Sequence, residues 1–240
     1  MALTRGINKG IGRGIGGGEG GFVFTGHILV AGIAGKLAYS SGTGLEDKSG
    51  NWPGPPRGNG SQYMRGDDNG SGTVLMPFSH RVLKTTDGGD TWTEATSPDG
   101  STPIGCIRYM HGNWYAFAEV EAGGDMMFRS TDAGATWTGD SDISFAHPQY
   151  SGCSWTDGAT TVHISVGEGT GASSGSVYRS TNGTSWSAVS SSLNDTLQAV
   201  AALPGGAGAI AVGVGGTIYT SNAAGNSWTL RTPAASYTGD

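Results

Sequence analysis

An eleven-residue segment that recurs along the chain constrains the fold more than any other sequence feature. Residues 82–92 read VLKTTDGGDTW and residues 127–137 read MFRSTDAGATW, so both copies join an apolar start to a polar centre and a closing tryptophan. A shorter copy spans residues 177–186, a longer one spans 217–228, and a degenerate copy runs from 37 to 52. Because length varies only within the polar centre, the pattern predicts a turn between two strands.

The spacing of the copies predicts the architecture. Their tryptophans stand at positions 52, 92, 137, 186 and 228, which are 40, 45, 49 and 42 residues apart, the length of one four-stranded propeller blade. Residues 161–166 and 209–214, which precede two copies, alternate as half-buried strands do. We predict an all-β fold, a β-propeller of about five four-stranded blades within residues 21–240. The predicted blades are roughly residues 21–60, 61–97, 98–142, 143–192 and 193–235.

Runs rich in small residues predict the innermost strand of three blades, at residues 104–109, 150–155 and 197–202. Cys106 and Cys153 occupy matching positions in two of these runs. Inner strands of neighbouring blades rarely bring two Cα atoms within roughly 7 Å, which a disulfide requires. We therefore predict two packing thiols and no disulfide.

The two intact copies carry the pattern Ser/Thr-x-Asp-x-Gly-x-Thr-Trp, which resembles the Asp box, or bacterial neuraminidase repeat. The resemblance covers roughly residues 73–232 and implies that each box forms the turn between the third and fourth strands of a blade. A buried box tryptophan then stabilises the turn against the core. We expect Trp137→Ala to lower the free energy of unfolding by about 3–5 kcal/mol. The structural box residues are Thr85, Asp87, Gly89, Trp92, Ser130, Asp132, Gly134, Trp137, Ser180, Asn182, Trp186, Thr220, Asn222 and Trp228.

The box implies architecture rather than activity, because it recurs in sialidases, glycosidases, a photosystem assembly factor, sorting receptors and phage structural proteins. The Arg-Ile-Pro signature of sialidases is absent. Lys84, Arg129 and Arg179 share one repeated strand position, which predicts a solvated face. A glycosidase needs two carboxylates about 5–10 Å apart, and the candidates Glu119, Glu121 and Glu168 are expected to be exposed. We predict no catalytic residue and no enzyme activity, with a glycoside hydrolase as the second alternative.

Composition excludes several partners. The formal charge of −6 and the pI near 5.2 argue against nucleic-acid binding, which needs a basic face. The five histidines show no metal-ligand spacing, so we predict neither a metal site nor a cofactor. The longest apolar stretch, residues 22–34, is too short to cross a bilayer, and no signal-peptide pattern is convincing. The triplet Arg65-Gly66-Asp67 is interpreted as ordinary turn or surface chemistry.

A polar loop rich in glycine and proline, residues 40–72, favours a binding function as the first alternative. It carries Trp52 and Arg57 at its centre, and exposed aromatic side chains on such loops stack on sugars or anchor partners. Trp52 is equally the expected tryptophan of the first blade. The sequence leaves both interpretations open, and a host surface glycan is the ligand expected under the first.

The N-terminal segment, residues 1–20, contains a second and finer repeat of four residues. Its glycines leave it unstable in isolation, since each glycine in a helix interior costs about 1 kcal/mol relative to alanine. The alternative is a disordered, glycine-rich tail. We interpret the segment as a docking arm that becomes ordered against an acidic and apolar groove of a larger assembly. Its partner-docking residues are Leu3, Arg5, Ile7, Lys9, Ile11, Arg13 and Ile15.

A propeller without catalytic groups behind such an arm resembles a bacteriophage virion protein in design: a capsid decoration, head fibre or tail component. The expected partners are other virion structural proteins, bound through the arm. The expected location is the virion, after assembly in the host cytoplasm. Copy number and homo-oligomer formation stay open, as does whether the blades close on themselves.

Overall fold

The computed structural model of the chain describes residues 28–31, 37–40, 46–47, 65–78, 80–100, 102–118, 125–139, 147–171 and 173–231. Within these residues, strands form one three-stranded sheet and four four-stranded sheets, and every pair of neighbouring strands is antiparallel. The strands of each sheet follow one another in chain order, as a meander. The predicted all-β class with four-stranded sheets is confirmed.

The five sheets follow one another along the chain. The first contains β1 (Ile28–Ala31), β2 (Leu37–Ser40) and β3 (Glu46–Asp47). The second contains β4 (Asp67–Asp68), β5 (Val74–Phe78), β6 (Arg81–Thr85) and β7 (Thr93–Ala95). The third contains β8 (Ile104–Met110), β9 (Asn113–Ala118), β10 (Met127–Ser130) and β11 (Thr138–Gly139). The fourth contains β12 (Gln149–Asp157), β13 (Thr160–Glu168), β14 (Ser174–Ser180) and β15 (Trp186–Asn194), and the fifth contains β16 (Leu197–Ala202), β17 (Ala209–Gly213), β18 (Ile218–Ser221) and β19 (Trp228–Arg231).

The core lies between consecutive sheets, because successive side chains of a strand point to opposite faces. In β13, Val162, Ile164 and Val166 are fully buried against the fifth sheet, where they meet Leu197 and Ala211. Each such aliphatic side chain contributes about 1.5–3 kcal/mol by its burial. The sheets therefore stack face against face.

The first strands of the sheets converge. β4 contacts β8, β8 contacts β12, and β12 contacts β16, so one inner strand of each of these four sheets lies against the next. We call the line around which they pack the axis. Gly152 of β12 shows how tight this region is, since a Cβ atom there would lie 2.7 Å from the ring of Phe117.

The repeated segment forms the connection between the third and fourth strands of each four-stranded sheet. Thr85, Ser130, Ser180 and Ser221 end the third strands, and the fourth strands begin within a few residues of the closing tryptophans. Two short 3-10 turns lie in the connections of the fifth sheet, Pro204–Gly206 between β16 and β17 and Val214–Gly216 between β17 and β18. No helix in the described part of the chain has the length and hydropathy needed to span a membrane.

Candidate functional site

The turns formed by the repeat, here called box turns, are closed by their own side chains. In the third sheet, Ser130 Oγ accepts the N–H of Gly134 at 2.9 Å and donates to Asp132 Oδ1 at 2.8 Å. Asp132 also accepts the backbone N–H and the hydroxyl of Thr136, at 2.8 and 2.6 Å. These hydrogen bonds, led by that from the Thr136 hydroxyl, lower the pKa of Asp132 to about 2.

The second sheet repeats this arrangement with different residues. Thr85 Oγ1 accepts the N–H of Gly89 at 2.9 Å and donates to Asp87 Oδ1 at 2.7 Å, and Asp87 accepts the N–H of Thr91 at 2.9 Å. Hydrogen bonds from Thr91 and Thr85 likewise hold the pKa of Asp87 well below its usual range. Two distant segments with the same spacing thus form the same turn, so its geometry is encoded locally.

Asparagine takes the place of aspartate in the two later turns. Asn182 Oδ1 accepts the N–H groups of Thr184 and Ser185 at 2.9 and 2.8 Å. Asn222 Oδ1 accepts two further amides, at 3.1 and 3.3 Å. In this longest turn it is Ser221, not Thr220, that pairs with Trp228 in the strand register, because the extra residue shifts the turn by one position. The Thr220 hydroxyl accepts a hydrogen bond from Arg231 Nε at 2.7 Å instead.

The box tryptophans differ in burial. Trp92 and Trp186 are each 9% exposed, whereas Trp137 and Trp228 are only partly buried. Trp92 Nε1 and Trp228 Nε1 donate within their own turns, but Trp137 Nε1 donates to the carbonyl of Thr96 in the second sheet at 2.9 Å. Trp137 is less buried than expected: it packs against the core cluster that contains Leu75 and Ile104, but it stays partly exposed.

The repeated basic position is half-buried rather than solvated, so that prediction was also wrong. Arg179 Nε donates to the carbonyl of Ala224 at 2.6 Å, which lies in the box turn of the following sheet. Arg129 Nη2 donates to Asn113 Oδ1 at 3.1 Å within its own sheet. At Arg179, therefore, the long cationic side chain ties the fourth sheet to the fifth.

A buried histidine lies between the third and fourth sheets. His163 is 2% exposed, and its ring centroid lies 6.0–6.2 Å from those of Tyr115, His111 and Trp186. Its Nδ1 has no hydrogen-bond partner among the described residues. Burial, followed by the charges of His111 and Arg129, lowers the pKa of His163 to about 4. This histidine packs as a neutral ring. The described part of the chain contains no group of three or more potential metal ligands.

The described residues place one of the three candidate glycosidase carboxylates. Glu168 is half-buried and accepts a hydrogen bond from the hydroxyl of Tyr150, so it is not the freely exposed group expected. Glu119 and Glu121 lie outside the described residues, as do Trp52 and Arg57 of the loop. The predicted docking residues also lie outside them: Leu3, Arg5, Ile7, Lys9, Ile11, Arg13 and Ile15.

A set of polar side chains lies near the axis, and the sequence analysis did not predict a binding site there. Residue 65 pairs with the inner strand β8, where Arg65 N–H donates to the Gly105 carbonyl at 3.2 Å and Ile107 N–H donates to the Arg65 carbonyl at 2.7 Å. The Arg65 guanidinium reaches across to donate to the carbonyl of Gln198 in β16. The triplet that begins at residue 65 is therefore part of the inner region and not a surface loop.

Asp67 and two thiols complete this region. Asp67 accepts the N–H groups of Tyr109 and Asp68 at 3.0 and 3.1 Å, and its burial raises its pKa despite the nearby charge of Arg108. Cys106 and Cys153 are both free, as predicted. Burial raises the pKa of both thiols, that of Cys153 to about 12, so neither is a ready nucleophile. We define the axial cluster as Arg65, Asp67, Cys106, Arg108 and Cys153.

Solved structures with a similar fold are known. The GH74 enzyme of Niastella koreensis superposes with a TM-score of 0.55 at 18% identity over 85% of this chain. YCF48 bound to D1 peptide gives 0.54 at 16% identity over 87%, and YCF48 from Cyanidioschyzon merolae gives 0.54 at 17% over 75%. The chain folds as a β-propeller. No protein-family model and no curated protein sequence matches it.

These similarities concern the fold alone, because the identities are low. The chain spans 36% of the GH74 enzyme and 66% and 59% of the two YCF48 chains. The axial cluster lies where the inner strands of the described sheets converge. The sequence pattern that could have indicated the axial cluster is the alternation of Cys106 and Arg108 along a predicted inner strand, which places both side chains on one face.

Proposed function

We propose that this propeller is a non-catalytic structural module of a bacteriophage particle, a capsid decoration, head fibre or tail component assembled in the host cytoplasm. Residues 1–20 would dock it to other virion proteins, and the propeller would be displayed outward. The proposal combines the propeller fold with the arm, whose repeated aliphatic and basic residues no propeller blade requires.

The observation that supports a structural role is the use of the acidic side chains. Asp87 and Asp132 close box turns, and Asp67 binds main-chain amides of the inner strands. Asp195 accepts a hydrogen bond from the Thr217 hydroxyl, and Glu168 accepts one from Tyr150. Carboxylates engaged in this way stabilise the fold, whereas a glycosidase needs a facing pair that is free to act on a sugar.

The arm supplies the docking half of the proposal. Several buried aliphatic side chains at about 1.5–3 kcal/mol each offset the entropy lost when such a segment becomes ordered. Arg5, Lys9 and Arg13 would add charge complementarity to an acidic groove.

Deleting residues 1–20 tests docking. We expect the thermal unfolding of the propeller to stay nearly unchanged, while incorporation of the protein into the parent particle is abolished. The double variant Ile7→Asp and Ile11→Asp should reproduce the defect. A matched control, Thr4→Asp with Asn8→Asp, adds the same charges off the aliphatic stripe and should incorporate better. Truncated protein present in particles at normal copy number would contradict docking by the arm.

The proposed absence of catalytic activity has its own test. Incubation of the full chain with a panel of plant, bacterial and animal polysaccharides should release no reducing sugar above the level of a heat-denatured control. A product whose formation is lost in Asp67→Asn or Glu168→Gln would overturn this half and favour a glycoside hydrolase. Binding without cleavage on a glycan array, lost when residues 48–64 are replaced, would favour host recognition; β3 and residues 65–72 are kept because they belong to the sheets and the axial cluster.

A further inference from the structure

Arg108 is a cation with unused hydrogen-bonding capacity at the axis. It lies on the inner strand β8 and is half-buried. Of the five N–H donors of a guanidinium, one reaches an acceptor among the described residues, Nη2 to Ser151 Oγ at 3.5 Å. That distance is at the outer limit of a hydrogen bond. The salt bridge found within the described ranges joins Arg81 to Glu94, so Arg108 has no carboxylate partner within 4 Å there.

A second cation lies close to it. The main chain of Arg65 is hydrogen-bonded beside Gly105 and Ile107, within a few residues of Arg108 on the same inner strand. The charges of both arginines act on the Cys106 thiol, where they oppose the effect of burial on its pKa. The two guanidinium groups therefore share one region of the axis. The Arg65 guanidinium is itself engaged, because it donates to the carbonyl of Gln198.

The axial cluster offers Arg108 a carboxylate that is already engaged elsewhere. Asp67 is its acidic member, and both of its carboxylate oxygens already accept main-chain N–H groups. Burial raises the pKa of Asp67, which weakens its ability to compensate the charge of Arg108. A half-buried guanidinium that makes one long hydrogen bond and no ion pair among the described residues has lost part of its solvation and gains from binding an anion.

We propose that Arg108, flanked by Arg65, forms a binding site at the propeller axis for one anionic oxygen group, a carboxylate or a phosphate. The planar fork of a guanidinium presents two parallel N–H donors, and carboxylates and phosphates match that fork with two oxygens. Ser151 meets one edge of the Arg108 side chain through this long contact, and the other donors are left for the ligand. The site uses no residue of the N-terminal arm, so its test does not depend on whether the arm docks.

Binding is measured by calorimetry on the full chain with two probes, inorganic phosphate and glutarate, at ionic strength held constant with sodium chloride. We expect at least one probe to bind, and the one that binds identifies the class of ligand. Arg108→Gln should weaken its Kd at least tenfold. Arg108→Lys, which keeps the charge but loses the fork, should weaken it less. Arg231→Gln, a control at an exposed position on β19, should bind as the wild type does.

A second measurement needs no variant and therefore does not depend on whether Arg108→Gln folds. Phenylglyoxal modifies arginines, and peptide mass spectrometry reports the rate at each position. The bound probe should slow modification of Arg108 at least fivefold and leave Arg231 unchanged. The proposal is overturned if neither probe binds, if Arg108→Gln binds as tightly as the wild type, or if Arg108 and Arg231 are protected equally.

Discussion

Removal of one buried hydroxyl tests whether the box turns hold the propeller together. Ser130 is 1% exposed, and its Oγ accepts the N–H of Gly134, itself a buried residue, at 2.9 Å. In Ser130→Ala this amide loses its acceptor in a place that water does not reach. Leaving a buried donor unsatisfied costs about 1–3 kcal/mol, and we expect a loss near 2 kcal/mol in the free energy of unfolding. The exposed Asp132 carboxylate regains water, so it adds little.

Urea denaturation followed by tryptophan fluorescence measures this loss. Thr131→Ala is the matched control, because Thr131 is the exposed neighbour and should change the free energy of unfolding by less than about 0.5 kcal/mol. Ser130→Thr should retain most of the stability, since Thr85 performs the same role in the second sheet. The argument fails if Ser130→Ala costs no more than Thr131→Ala, or if Ser130→Thr is as damaging as the alanine.

Three further predictions concern packing and pH. Trp92→Ala should cost about 3–5 kcal/mol and Trp137→Ala about 2 kcal/mol, because the second ring is only partly buried; equal losses in denaturation would contradict this. Gly183→Ala should lower the unfolding temperature strongly, since residue 183 has φ +74° and a Cβ atom there would collide with the Tyr115 hydroxyl; an unchanged temperature would refute the close contact. Between pH 6.5 and about 4, His163 is protonated in the unfolded chain but stays neutral in the folded protein. Its contribution to the free energy of unfolding is therefore complete above pH 6.5 and is lost as the pH falls towards 4. After allowance for solvent screening this amounts to about 2 kcal/mol, and His163→Gln should flatten that part of the curve of unfolding free energy against pH.

The strands and turns of the propeller were accessible from the sequence because their information is local. Ser130, Asp132 and Gly134 lie within five residues, so their spacing alone specifies which hydroxyl meets which amide. The alternation of Val162, Ile164 and Val166 likewise predicts a buried face without knowledge of what covers it. Predictions failed where the burial of a side chain depends on a neighbouring sheet. The exposure of Trp137 and Arg179 was predicted from their position in the repeat alone. Their hydrogen-bond partners, Thr96 and Ala224, come from other blades.

By itself, the sequence determined the all-β class, the four-stranded sheets and the chemistry of the two intact box turns, because those depend on side chains a few positions apart. Only the tertiary structure decided what lies at the axis. Arg65 and Gln198 are separated by 133 positions, yet the convergence of inner strands joins them. The same convergence places the half-buried Arg108 beside Asp67 and the two thiols. No local pattern encodes that meeting, since it follows from how whole sheets pack against one another.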